Sequence, residues 1–333
     1  MTQPISTHPS KTLILLAFAV IYVVWGSTYL AIALVVETIP PFLSAALRFL
    51  IAGILLMGFL ALRRTPLPTA AQWWHALVSG LLLSVGGNGL VVWAEQSISS
   101  GLAALLVALT PVWFALLDWL RPAGKRPHLK TVIGIVIGFA GVVLLVTGRT
   151  ASDSHSTSLW ATLAVIVAGV LWAAGSLYSK HSPNPGSPWM NAAAQMICGG
   201  AGLMVVALVL GEPGRADWSA VSTRSWIALL YLIVFGSWIG FTAYVWLLRV
   251  STASRVSTYA YVNPVIAVFL GWLVLGETVS GRMAWGALVV LAGVITITLP
   301  QSVIVDFSNR LRRSLGWRVA GQGTGFASCP EGK

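Results

Sequence analysis

Long apolar stretches separated by short polar connections dominate the pattern along this chain. A bilayer core about 30 Å thick is crossed by about 20 apolar residues in a helix. Charged residues, prolines and glycine clusters divide the chain into ten such stretches. The pattern therefore predicts an all-α membrane protein with ten transmembrane helices, at about 12–34, 41–62, 73–94, 100–120, 129–149, 158–179, 188–210, 224–247, 254–275 and 282–300.

The composition excludes an ordinary water-soluble globule. The 333 residues are 57% hydrophobic and only 9% charged, with a mean hydropathy of +0.84, whereas soluble domains have about 25% charged residues. The 33 glycines and 16 tryptophans suit closely packed membrane helices and interfacial aromatic belts.

The net charge of +11 indicates topology and not a nucleic-acid partner, because the basic residues lie between apolar runs. With a cytoplasmic N-terminus, fifteen of the twenty Lys and Arg residues fall on the cytoplasmic side and four on the opposite side, while Arg48 lies within a span. The positive-inside rule therefore predicts that both termini are cytoplasmic.

Each end of the chain allows two interpretations. Ala31 to Ala33 resemble a signal-peptide cleavage site, but the first apolar run is longer than a signal peptide requires, so we expect it to be retained. The basic tail, 301–333, carries Arg310, Arg312 and Arg313. It is expected either to lie on anionic membrane lipid at the cytoplasmic face or to be a disordered end.

The sequence repeats itself at nearly constant offsets. Five pairs are separated by 153 residues: Trp73/Trp226, Ser84/Ser237, Gly87/Gly240, Trp93/Trp246 and Pro111/Pro264. An offset of 147 relates Trp25/Trp172, Pro41/Pro188 and Gly53/Gly200, and an offset of 152 relates Gly134/Gly286 and Gly141/Gly293. The chain is therefore predicted to contain two five-helix units, at 12–149 and 158–300.

An odd number of helices per unit makes the second unit enter the membrane from the opposite side. The prediction is an inverted-topology repeat, with a pseudo-two-fold axis in the membrane plane. Secondary transporters have this architecture, with a substrate site near mid-membrane between the repeats and alternating access to it.

Several short motifs occur in a characteristic order: Trp25-Gly26, Ala46-Leu47-Arg48-Phe49, Trp93-Ala94-Glu95-Gln96, Thr110-Pro111, Asn263-Pro264 and Leu275-Gly276-Glu277. Over about residues 12–300 the chain resembles the EamA family of the drug/metabolite transporter superfamily. The resemblance implies ten helices in two inverted units, a bacterial inner-membrane location and ATP-independent transport of amino acids or other small metabolites. It implies no particular substrate.

Arg48 lies deep in a predicted span for a charged residue, seven residues beyond Pro41 or about 10 Å along the helix. Intramembrane charges usually face the bundle interior and mark a transport pathway. Arg48 is predicted to bind an anionic substrate group or to take part in gating, or alternatively to clamp carbonyls at a helix end. The second repeat has Gln195 at the equivalent position.

A polar stripe follows the third helix. Ser84, Asn88 and Glu95 fall on one face, at i, i+4 and i+11. Asn88 is a candidate for substrate binding. Glu95, near the end of that helix, is a candidate for proton coupling or a solvated residue at the membrane surface.

Matched prolines predict helix breaks in the two repeats. Pro111 and Pro264 cannot donate a backbone hydrogen bond, so each frees a carbonyl midway through its helix. Thr110 and Asn263, just before them, can supply side-chain hydrogen bonds there. Paired interruptions of this kind point to a transporter's binding site, and simple kinks are the alternative.

Aromatic residues are predicted to line a cavity suited to apolar or aromatic amino acids and similar amphiphiles. For each of them, packing or a place in an interfacial belt is the alternative. The candidates are Trp25, Tyr29, Trp172, Tyr244 and Tyr259.

The sequence lacks the motifs that would indicate other functional classes. The sequence contains no HExxH zinc signature, no paired aspartates and no phosphate-binding loop, so we expect neither an enzyme nor a cofactor. The prediction is a secondary carrier of a small-molecule substrate, most simply an exporter, with proton coupling left open. The alternatives are a passive facilitator or channel and a non-transporting membrane scaffold.

Overall fold

A computed structural model describes residues 10–121, 129–147, 158–183, 187–277, 279 and 281–298. Every regular element in these ranges is helical. The first repeat contains α1 (Lys11–Val36), α2 (Pro41–Leu62), α3 (Ala70–Ala94), α4 (Ser100–Leu120) and α5 (Leu129–Thr147). The second contains α6 (Leu159–His181), α7 (Pro188–Val209), α8 (Thr223–Val250), α9 (Tyr259–Leu270, continued by Gly271–Leu275) and α10 (Gly281–Thr298).

The helix ends agree with the predicted spans to within about five residues, and residues 148–149, 299–300 and the tail 301–333 lie outside the described residues. Serine and threonine side chains fix many of the helix starts, because each accepts a hydrogen bond from a backbone N–H that has no partner within the helix. The residues with this role are Ser10, Thr69, Ser99, Ser158, Ser187 and Ser222.

Seven helical segments of the described ranges, α1 to α4 and α6 to α8, are long and apolar enough to cross a bilayer. Two shorter apolar stretches, Val262–Leu275 and Ala284–Gly293, lie within α9 and α10. Large apolar side chains point away from the protein on these helices, as in Leu15 (68% exposed) and Val209 (81% exposed). An outer surface of this kind fits hydrocarbon and not water.

The helices are interrupted in both repeats. α3 and α8 each contain a central π-helical stretch, Leu81–Gly89 and Leu232–Phe241, at nearly equivalent positions. α4 is broken at residues 108–109, directly before Thr110 and Pro111. The prediction for Pro264 is corrected, because the helix Tyr259–Leu270 runs through this proline and the chain is interrupted at 257–258 instead.

Equivalent helices of the two repeats pack against each other with their chains antiparallel. On α2, a Cβ at Gly53 would lie 2.9 Å from the Cγ1 atom of Ile197 on α7. On α7, a Cβ at Gly200 would lie 2.8 Å from the backbone nitrogen of Leu50 on α2. Gly53 is equivalent to Gly200 and Leu50 to Ile197, so the two contacts are reciprocal.

The pair α5 and α10 repeats this arrangement. A Cβ at Gly141 would lie 2.7 Å from Val290, and one at Gly293 would lie 2.5 Å from the backbone nitrogen of Gly138. At the repeat offset of 152, Gly141 is equivalent to Gly293 and Gly138 to Val290, so these two contacts are also reciprocal. Reciprocal contacts between equivalent surfaces are the mark of two-fold symmetry, and the small residues allow the backbones to approach closely.

We expect Gly53→Leu to lower the free energy of unfolding by about 1–3 kcal/mol, because the added side chain overpacks the α2–α7 contact. Thermal unfolding of the purified protein in detergent measures this as a lower Tm. The matched control is Gly58→Leu on the same helix, where a Cβ meets nothing within 4 Å. Equal effects of the two substitutions would contradict the packing argument.

Candidate functional site

Helices of opposite direction place their connections at two ends of the bundle. The Glu37 side is defined by the connections 37–40, 95–99 and 210–222, and the Arg63 side by the connections 63–69 and 251–252. On the Glu37 side, Thr38 Oγ1 donates to Ser225 Oγ at 2.8 Å. On the Arg63 side, Lys180 Nζ donates to the carbonyl of Ser251 at 2.7 Å. The repeats also contact each other on the Arg63 side, where His75 Nδ1 and the hydroxyl of Tyr178 lie 2.7 Å apart. Polar contacts between the repeats therefore occur at both ends of the bundle.

A central cavity lies between seven helices drawn from both repeats. It brings together eight of the nine residues predicted to bind substrate: Trp25, Tyr29, Arg48, Asn88, Thr110, Trp172, Tyr259 and Asn263. The remaining lining residues are Thr28, Ile32, Phe49, Gly87, Val91, Val107, Ala168, Gly169, Gly236 and Phe241.

Arg48 is the cationic group of the cavity wall, and it is only 4% exposed. Its Nε atom donates to Ser237 Oγ at 2.6 Å, and its Cζ atom lies 4.9 Å from the ring centre of Phe49. Gly236 leaves room for the guanidinium, since a Cβ there would lie 3.0 Å from Nη2.

The guanidinium retains hydrogen-bonding capacity. Nη1 of Arg48 is buried and has no hydrogen-bond partner in the described parts of the chain. The recorded bond of Arg48 goes to a hydroxyl, so the described contacts do not show a clamp on helix-end carbonyls. A buried guanidinium with unused donors is suited to an anionic group such as a carboxylate.

Glu95 lies directly after α3 and is 7% exposed. Both carboxylate oxygens are buried and lack hydrogen-bond partners among the residues that the structure describes. The alternative of a solvated residue at the membrane surface is therefore wrong, because neighbouring helices cover this helix end. The electrostatic neighbours of Glu95 are Arg48, Tyr29 and Glu277.

Arg48 and Glu95 do not form a direct ion pair. Within the described ranges, the recorded ion pair closer than 4.0 Å is that of Arg121 with Asp118. Arg48 and Glu95 thus interact through space while each keeps unused hydrogen-bonding atoms. This arrangement leaves both groups able to respond to a bound ligand or a proton.

Glu277, which sequence reasoning placed only in a family motif, holds the start of α4. Its Oε1 atom accepts from the backbone nitrogen and the hydroxyl of Ser100 at 2.9 and 2.8 Å, and its Oε2 atom accepts from the nitrogen of Gly101 at 3.3 Å. A carboxylate at a helix N-terminus is favourable because it meets unpaired N–H groups. The contact joins the second repeat to the first.

The aromatic part of the cavity wall is built around Trp25 and Trp172, which are equivalent in the two repeats. Their rings meet edge to face with centroids 5.5 Å apart. Trp25 packs edge to face against Tyr259 at 5.2 Å, and its Nε1 atom donates to the carbonyl of Gly236 at 3.1 Å. These rings hold one another in place before any ligand is present.

Tyr244 does not line the cavity, which corrects the prediction made for it. Its side chain is fully buried, and its hydroxyl accepts from Trp172 Nε1 at 3.0 Å and shares a 2.6 Å hydrogen bond with Ser176 Oγ. Tyr244 therefore stands behind Trp172. A helical face pattern places both residues inside the bundle, but it cannot tell which of two stacked rings meets the cavity.

The polar residues beside the prolines are bonded to backbone carbonyls. Thr110 Oγ1 donates to the carbonyl of Val107 at 2.5 Å, the group that Pro111 leaves without a helical partner. The amide of Asn263, oriented by its hydrogen-bond network, donates to the carbonyls of Tyr259 at 3.1 Å and Tyr22 at 3.0 Å. These bonds satisfy backbone acceptors beside the cavity.

Asn88 offers the opposite chemistry, since its Oδ1 atom is buried and unpartnered in the described part of the chain. The small and apolar lining residues, such as Val91 and Gly236, carried no chemical signal that the sequence analysis used. Phe49 follows Arg48 directly, and its place in the cavity wall and its cation–π contact with Arg48 identify it as part of the site.

The sequence matches the model of the EamA-like transporter family twice, over residues 12–147 and 159–299. The chain is 38% identical over 285 residues to the uncharacterized inner membrane transporter YedA of Escherichia coli (strain K12), covering 85% of this chain and 90% of that protein. It is 26% identical to the uncharacterized transporter YoaV of Bacillus subtilis (strain 168), covering 87% and 98%. A similar identity, 26%, relates it to the chloroplastic WAT1-related protein At3g02690 of Arabidopsis thaliana, covering 83% and 67%.

The fold also has a counterpart among solved structures. A structure described only as "Crystal structure of protein" superposes with a TM-score of 0.62 at 20% identity, covering 91% of this chain and 99% of that one. At this identity the likeness concerns the fold alone. The double match to the family model and the 38% identical relative show that this chain belongs to the EamA-like transporter family and contains its domain as a tandem repeat.

Proposed function

We propose that this protein is a secondary carrier that exports amino acids or related small metabolites across the inner membrane of a bacterium, without ATP. The observation that carries the proposal is the central cavity, because it is walled by both repeats and contains a buried arginine with unused donors. The name of the Escherichia coli relative, an inner membrane transporter, supports the location.

Two inverted five-helix repeats, at 12–149 and 158–300, would give this carrier its alternating access. The reciprocal antiparallel contacts of α2 with α7 and of α5 with α10 support the inversion, because a two-fold axis perpendicular to these helices lies in the membrane plane. We take all ten helical segments to cross the bilayer. The excess of Lys and Arg on the Arg63 side supports cytoplasmic termini.

The lining residues favour an amphiphilic substrate with a carboxylate. Arg48 presents a buried donor, Asn88 presents a buried acceptor, and Trp25, Trp172 and Tyr259 present aromatic surface. An α-amino acid with an apolar or aromatic side chain matches all three. Its carboxylate would bind Arg48, its ammonium group would bind Asn88, and its side chain would pack on the aromatic rings.

Glu95 is proposed to couple transport to protons. It is a buried carboxylate without a hydrogen-bond partner in the described ranges, and it lies within electrostatic range of Arg48. An anion bound to Arg48 removes part of the positive charge that stabilises ionised Glu95. Substrate and proton binding are thereby linked.

The alternatives differ from a coupled carrier in what they can do. A passive facilitator or channel would share the repeat architecture but could not concentrate its solute against a gradient. A non-transporting scaffold would gain nothing from a buried arginine, which is costly within a membrane.

We expect Arg48→Ala to weaken the apparent substrate affinity about 10- to 100-fold, because it removes one or two charge-assisted hydrogen bonds to the substrate. Counterflow in proteoliposomes with labelled apolar and aromatic amino acids measures this exchange. The matched control is Gln195→Ala, the repeat-equivalent residue, which does not line the cavity. Exchange undiminished by Arg48→Ala would remove this residue from the proposed site, and saturable exchange of no tested solute by the wild type would contradict the substrate class.

We expect Glu95→Gln to retain substrate exchange but to lose accumulation driven by a pH gradient, because the amide cannot take up a proton. Counterflow and gradient-driven flux are compared in the same vesicles. Glu37→Gln, at an exposed position on the same side of the bundle, is the control. Accumulation that persists in Glu95→Gln would show that the proton is carried elsewhere.

A further inference from the structure

The repeat symmetry is broken on the helices that flank the cavity, α3 and α8. At the offset of 153, Asn88 and Val91 of α3 correspond to Phe241 and Tyr244 of α8. A small polar and a small apolar side chain in one repeat are thus replaced by two aromatic rings in the other.

The equivalent positions Val91 and Tyr244 differ in whether they border the cavity. Asn88 and Val91 both line the cavity. In the symmetry-related place, Phe241 also lines the cavity, whereas Tyr244 is fully buried and does not line it. The ring of Tyr244 thus occupies the position at which the equivalent Val91 borders the cavity.

Asn88 and Tyr244 lie towards opposite ends of the bundle. Asn88 lies six residues before the end of α3, on the Glu37 side, which is about 9 Å along the helix. Tyr244 lies six residues before the end of α8, on the Arg63 side. Asn88 therefore lies nearer the Glu37 side, and Tyr244 lies nearer the Arg63 side.

Tyr244 is held by contacts to both repeats. Its hydroxyl bonds to Trp172 and Ser176 of α6, and its ring lies 4.9 Å from the ring of Trp25 on α1 and 6.1 Å from that of Tyr259 on α9. Three of these partners, Trp25, Trp172 and Tyr259, line the cavity. Tyr244 thus packs directly behind the cavity wall.

We propose that Tyr244, locked by Trp172 and Ser176, is the gate that separates the central cavity from the Arg63 side of the membrane. The proposal rests on the proposed carrier function, in which the two repeats exchange conformations. Opening to the Arg63 side then requires the Tyr244 ring to leave its position between Trp25 and Trp172. In the exchanged state the space beside α8 becomes hollow and the space beside Asn88 and Val91 closes.

The test uses a thiol reporter in the cavity. Thr28→Cys, at a cavity-lining position, is introduced into a chain whose own cysteines are replaced by Cys198→Ser and Cys329→Ser. A membrane-impermeant thiol reagent is added to sealed vesicles of either orientation. Labelling from the Arg63 side then reports on the gate and needs no substrate.

We expect Tyr244→Val, which installs the residue of the other repeat, to accelerate labelling from the Arg63 side at least 10-fold. Tyr244→Phe keeps the ring and removes only the hydroxyl, so its rate should lie between wild type and Tyr244→Val. This second variant keeps the test valid if the valine variant is too unstable to reconstitute.

The matched control is Tyr178→Val, which removes a tyrosine from the same side of the bundle where it bonds to His75 and not to the cavity wall. An unchanged labelling rate in folded Tyr244→Val and Tyr244→Phe proteins would overturn the gate, as would equal acceleration by Tyr178→Val. Exchange in the wild type is measured in parallel. If the wild type exchanges substrate and the labelling rate of the variants is unchanged, the gate alone is refuted. If the wild type exchanges no substrate, the carrier function itself is contradicted.

Discussion

The close, reciprocal packing of equivalent helices is the constraint on which the rest of this structure depends. Hydrocarbon provides no hydrophobic force between helices, so association in a membrane relies on tight van der Waals contact and on small residues at the interface. Gly53 with Gly200 and Gly141 with Gly293 bring α2 against α7 and α5 against α10 in this way. Because each contact is matched by its symmetry mate, the two repeats are fixed relative to one another. The helices that wall the cavity are placed as a consequence.

The candidate site lies where the repeat symmetry is broken. Arg48 corresponds to Gln195, which donates to Ser179 in its own repeat. Asn88 and Val91 correspond to Phe241 and Tyr244. The result is a central cavity whose wall carries Arg48 and Asn88, with Tyr244 packed behind Trp172.

Much of the fold followed from the sequence, because the signals were long-range and redundant. Apolar runs of about 20 residues located the helices, and the offsets of 147 and 153 related the repeats. The same offsets and the helical faces brought most candidate residues to one cavity, from Trp25 on α1 to Asn263 on α9.

The errors concern features that depend on three-dimensional packing. Tyr244 lies on the correct face but behind Trp172. For Glu95 only the alternative of a solvated surface residue is wrong, because the side chain is buried. Pro264 remains within a helix, since Asn263 bonds to neighbouring carbonyls there. The contact of Glu277 with Ser100 joins residues 177 positions apart, for which local patterns carry no signal.

The most direct test of the central claim, that Arg48 receives a substrate carboxylate in the cavity, is calorimetric binding to the purified protein. Phenylalanine and its carboxamide are titrated into the wild type and into Arg48→Ala. We expect the wild type to bind the carboxylate at least 10-fold more tightly than the carboxamide, and Arg48→Ala to bind the two alike. The same preference in both proteins, or none in either, would contradict the account.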